Sequence, residues 1–163
     1  MAEAERRARV AGRGDVAEYL RLRASNDLAR KTAIDWLLST FTVLAGEANR
    51  GGASVQLARE DAHRFAVGNA TMVGPLLTLR AGVRQLLIEA GWPRTPRDGF
   101  VRGGGLACGH IKHFGLRGGD DELLLVRHAS QPPQWFILER TGHRSQLTEA
   151  RMRRHLERFL GTG

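Results

Sequence analysis

The apolar period of this chain changes at Gly51-Gly52, and that change limits the folds open to it. Before the glycine pair, Ile34, Leu37, Leu38, Phe41, Leu44, Ala45 and Ala48 recur at steps of three and four, which draws one apolar stripe along a helix. Tyr19, Leu20, Ala24 and Leu28 continue the stripe more thinly upstream. Ser25-Asn26-Asp27 places three capping residues in its path, so the segment from Asp15 onward reads as one bent helix or two.

After the pair the period becomes two. Residues 55–59 and 63–67 alternate as short strands, and 72–79 and 83–89 flank Arg80-Ala81-Gly82, which reads as a three-residue hairpin loop with the glycine supplying the positive φ. Residues 106–114, 122–128 and 134–138 read as three further antiparallel strands. The chain closes with a helix that Thr148 caps, with Leu147 and Met152 at the staple positions and Gly161 at its stop. The expected fold class is α+β: a long N-terminal helical segment, a mainly antiparallel sheet of about six or seven short strands, and a C-terminal amphipathic helix. Residues 1–14, charged and punctuated by glycine, are expected as a flexible N-terminal segment, and 15–163 as a single domain.

Between the two sets of strands, residues 91–105 must form a loop. Trp92-Pro93, Thr95-Pro96, Asp98-Gly99 and the triplet Gly103-Gly104-Gly105 are successive turn or extended signals. A loop of that length inside a compact domain is commonly functional. It is expected to rim the sheet face that the helices leave uncovered, or an edge. The triplet is not a nucleotide cradle, because a strand and not a helix follows it and no Gly-Lys-Ser/Thr is present. It reads as a hinge or lid, and no cofactor is expected.

Charge narrows the partners. The net charge is +8, and Lys31 and Lys112 are the only lysines among 25 basic residues, the rest being arginine. Such a surplus concentrates anionic partners, nucleic acid or another polyanion first among them. On the closing helix Arg151, Arg154, His155 and Arg158 share an arc beside the apolar face of Met152, Leu156, Phe159 and Leu160. In the central loop Arg94, Arg97 and Arg102 are interleaved with Trp92 and Phe100, as suits phosphate contact and base stacking. The candidate nucleic-acid-binding residues are therefore Arg151, Arg154, Arg158, Arg94, Arg97, Arg102 and Trp92.

A second reading is catalytic. Cys108 and His110 share a strand face with Lys112, and a hairpin centred near Gly118 would set His128 opposite Cys108. A thiol and two imidazoles suit a Cys/His nucleophile pair under a glycine-rich lid, or three zinc ligands, if that register holds. The acidic cluster Asp120-Asp121-Glu122 reads as an exposed turn, and His63, His143 and His155 as isolated. A third reading is an adaptor or assembly subunit, since the stripe on the first helix also allows a homodimer. No run approaches the roughly 20 apolar residues of a membrane span. With one cysteine and no secretory signal at the N-terminus, the expected location is the cytoplasm and no membrane partner is expected.

Overall fold

The computed structural model describes residues 2–10, 12 and 14–162. Two helices, α1 (Ala2–Val10) and α2 (Gly14–Arg50), precede seven strands, and α3 (Glu149–Leu160) follows them. The strands are β1 (Gln56–Val67), β2 (Ala70–Ala81), β3 (Arg84–Gly91), β4 (Ala107–Phe114), β5 (Asp121–Val126), β6 (Gln134–Leu138) and β7 (Arg144–Gln146). They pair in chain order as one antiparallel meander, so the fold is α+β. Ala2–Val10, read from the sequence as part of a flexible lead-in, is helical, and Arg21 of α2 reaches back to Glu5 at 3.2 Å.

Ser25-Asn26-Asp27 does not break α2, which runs unbroken for 37 residues. A capping side chain ends a helix only where the chain turns away, and here two of the three are engaged by other side chains. Asp27 accepts from Arg30 and Asn26 from Arg127. Ile34, Leu37, Leu38, Phe41, Leu44 and Ala45 are buried against the sheet, and each large side chain there contributes about 1.5–3 kcal/mol. Of the thinner upstream continuation, Tyr19 and Leu28 are exposed and Leu20 and Ala24 half-buried. At its far end α2 is tied to β1 by Asn49, whose amide bonds both the N–H and the carbonyl of Val55.

The two short strands expected at 55–59 and 63–67 are one. Glu60 faces Leu76 and His63 faces Gly74, so β1 carries one extra residue opposite Pro75, a bulge where the partner has no N–H to donate. The β2–β3 turn is also tighter than expected. Ala81 pairs with Arg84, leaving a two-residue Gly82-Val83 loop in which Gly82 takes φ +62°.

One sheet face, with Leu79, Leu86, Ile88, Ile111, Leu123 and Leu125, packs under α2 and α3. The other face gathers Phe65, Val67, Met72, Cys108 and Leu124, with Val101 of the central loop laid against them. That loop therefore wraps over the end of the sheet, since Trp92 belongs to the helix-side core. Two 3-10 turns, Pro96–Asp98 and Arg102–Gly104, give it local structure. Strand β7 was not visible in the sequence, because three exposed residues carry no apolar alternation. Among the described residues no helix is long and apolar enough to cross a membrane.

Candidate functional site

The register parts His128 from Cys108 and His110, which stay two residues apart on β4. Cys108 pairs with Leu124, and His128 lies beyond the end of β5, exposed and edge-on to Phe136. The β4–β5 pairing is offset by four positions from the assumed one, because Asp121 starts β5 opposite Ile111 and the connection is centred near Leu116. Cys108 is buried, and burial pushes its thiol up to about 11, so it is held as a thiol among apolar neighbours. Cys108 accordingly labels with a thiol reagent at pH 7 only as fast as the protein unfolds. Stoichiometric labelling of the folded chain within minutes, followed by mass spectrometry, would refute that placement.

His110 instead joins a carboxylate that the sequence reading left aside. Glu89 of β3 sits directly opposite it. Oε1 of Glu89 accepts from His110 Nδ1 at 2.9 Å and Lys112 Nζ at 3.1 Å, and Oε2 from His63 Nε2 at 2.8 Å, which reaches across β2 from beside the β1 bulge. Burial alone would raise this carboxyl; the hydrogen bonds from His110, His63 and Lys112 outweigh it and hold Glu89 at about 2. Phe65 packs between the two imidazoles. Among the described residues no group of three or more His, Cys, Asp and Glu side chains is arranged to hold a metal ion.

A second buried carboxylate anchors α3. Asp121, expected in an exposed turn, is the first residue of β5 and is buried. Arg151 grips it through two bonds, Nε to Oδ2 at 3.0 Å and Nη2 to Oδ1 at 2.9 Å. His155 Nε2 lies 2.6 Å from Oδ2, and His155 Nδ1 lies 2.9 Å from Nε2 of buried His113. Burial opposes ionisation of Asp121, but His155 and Arg151 overcome it and keep the acid at about 2. In the tautomer that serves Asp121, His155 donates to it through Nε2 and accepts at Nδ1 from His113. That leaves Nδ1 of His113 buried without a partner. Burial and the neighbouring His155 lower His113 to about 4.

The seven candidate nucleic-acid contacts do not come together on one surface. Arg151, Arg154 and Arg158 lie with Gly119 and His155 around a hollow of 350 Å³ beside the β4–β5 turn. Trp92 and Arg94 lie at the other end of β4, whose eight residues span roughly 25 Å. Trp92 cannot stack on a base: it is buried, and the Arg94 guanidinium covers its ring at 3.6 Å, with Arg30 at 5.7 Å. Arg94 also donates to the Val73 carbonyl. Arg102 faces Glu122 at 3.6 Å on the far side of the sheet, while Arg97 is exposed.

Around Trp92 the structure assembles residues the sequence reading did not group. α2 and the central loop enclose two adjoining hollows of 580 and 350 Å³, which share Arg23, Arg30, Pro93 and Arg94. Tyr19 and Phe100, 62% and 82% exposed, line the larger one, and Lys31 the smaller. Among the described residues Asp27 is the only acidic one lining this cleft, and it is paired with Arg30. The signal for it was present as the basic run along α2, but only the tertiary fold sets that run beside the loop. On the opposite flank of α2, exposed Leu28 and Trp36 border an apolar groove of 690 Å³ with Pro132, Pro133 and Trp135. The stripe on which the homodimer reading rested, Ile34 to Ala45, is buried against the chain's own sheet. No protein family, characterised protein or solved structure shows detectable similarity to this chain.

Proposed function

We propose that this protein is a non-catalytic binding module for nucleic acid, which takes a single strand into the cleft between α2 and the central loop. One observation carries the reading: two exposed aromatic rings and four cations line one continuous cleft against a single, already paired acid. Aromatic faces accept bases of any sequence, and the cations meet the phosphates between them. Arg30 and Arg94 are pinned to backbone carbonyls, so they reach a ligand with little loss of side-chain freedom. Arg23 and Lys31 are exposed and make no ion pair among the described residues.

Fluorescence anisotropy with short single- and double-stranded oligonucleotides, repeated across salt concentrations, tests this. Three to four phosphate contacts give a log–log salt slope of about −2 to −3 for a single strand. Tyr19→Ala and Phe100→Ala each weaken binding about tenfold or more, as loss of one stacked base does, and Arg23→Glu with Lys31→Glu flattens the slope. Arg154→Glu with Arg158→Glu leaves oligonucleotide binding unchanged. No binding at low salt would overturn the reading. Binding lost only on the α3 reversal would move the surface to that helix.

A further inference from the structure

We propose that the hollow beside α3 is a separate oxyanion site, built for the phosphate group of a small phosphorylated ligand. Its 350 Å³ lies at the lower end of the roughly 300–1,000 Å³ of small-ligand sites and is lined by Arg151, Arg154, His155, Arg158 and Gly119. An ordinary basic helix face presents mobile, solvated arginines. Here two of the three are fixed by acceptors of the protein itself and still hold unused donors. Arg151 spends Nε and Nη2 on Asp121 and keeps Nη1. Arg158 spends Nη2 on the Arg117 carbonyl and keeps Nε and Nη1. Arg154 makes no hydrogen bond or ion pair among the described residues and leaves its whole guanidinium for a ligand. Fixed guanidinium forks match a tetrahedral oxyanion through paired N–H···O bonds, which a point-like ammonium does not.

The turn opposite is shaped to this arrangement. Gly119 holds φ +82°, and a Cβ there would lie 2.8 Å from Arg158 Nε, so a larger residue would displace the guanidinium. His155 forms the floor but offers the ligand nothing, since its two ring nitrogens are taken by Asp121 and His113. It holds the Asp121 carboxylate in place, and through it Arg151. The site recognises charge and shape and has no group free to act as a base. It stands at the opposite end of β4 from the nucleic-acid cleft, so the two proposals fail independently.

The experiment is calorimetric titration of the full chain with inorganic phosphate and with phenyl phosphate, at ionic strength matched by sodium chloride. Saturable one-to-one binding is expected for both. Arg154→Gln and Arg158→Gln, each on an exposed side chain and checked for folding by circular dichroism, weaken it at least tenfold. Tyr19→Ala and Phe100→Ala leave it unchanged. A response no greater than that of added chloride, or equal phosphate affinity in the Arg154→Gln/Arg158→Gln double variant, would overturn the site. Binding of phenyl phosphate but not of inorganic phosphate would overturn the assignment to the phosphate group.

Discussion

Replacing Asp121 with alanine lowers the unfolding free energy by about 3 kcal/mol, near the lower end of the range for removing one partner of a buried ion pair. Asp121 is one of the most heavily engaged carboxylates in the fold, taking two bonds from Arg151 and one from His155. Without it the two partners fare differently. Arg151, its side chain 34% exposed, can turn to water; His155, 5% exposed, cannot, and its Nε2 is left without an acceptor. Because α3 meets the sheet through this contact as well as through Met152, Leu156 and Phe159, the loss is felt as cooperative unfolding and not as fraying of one helix. The melting temperature falls by roughly 10 °C, given about 2–4 °C per kcal/mol for a chain of this size. Urea unfolding of Asp121→Ala, Arg151→Ala and the double variant checks the argument: the double variant should cost clearly less than the two single changes together. A loss below about 1 kcal/mol in Asp121→Ala would mean that the pair is dispensable.

Acid should unfold this protein in stages. His113 is lowered from 6.5 to about 4. Below its ordinary value the unfolded chain takes up a proton that the folded chain refuses, so stability falls as the pH drops from about 6.5 to 4. The carboxylates act lower. Glu89 and Asp121 are depressed from 4.5 and 3.8 to about 2, so their contribution is complete above the ordinary values and lost as the pH falls toward 2. At about 1.4 kcal/mol for each tenfold change, each of the three accounts for about 2.5–3.5 kcal/mol. Together these are comparable to the whole stability of a typical domain, about 5–15 kcal/mol, so the transition should be complete only near pH 2. Equilibrium urea unfolding at a series of pH values tests this. Glu89→Gln flattens the lower limb and His113→Gln the upper one; an unchanged limb in either variant would refute the corresponding assignment.

The features that were legible in the sequence depend on neighbours along the chain. The stripe from Ile34 to Ala45, the apolar runs of β4 and β5, and the closing helix with its Thr148 cap and Gly161 stop are readable because each is determined within one or two turns or a few strand residues. The α+β arrangement follows from them, since an apolar helix stripe and a half-apolar sheet must cover one another. Even the end of α2 was visible in Gly51-Gly52.

What only the tertiary structure decided is which polar groups meet. The four-position difference in the β4–β5 pairing hands Cys108 to Leu124 and parts it from His128. The carboxylates that matter are joined to partners 21 to 34 residues away: Glu89 to His63 and His110, and Asp121 to Arg151 and His155. None of these residues forms a motif with its chain neighbours, so Asp121 reads as one acid of an exposed turn and His155 as solitary. The same holds for the cleft, where folding the loop against α2 buries Trp92 and leaves Tyr19 and Phe100 outside. Apolar periodicity is a local property that the chain carries with it, whereas the partner of a buried charge is settled only by strand register and by the way helix and loop close over the sheet.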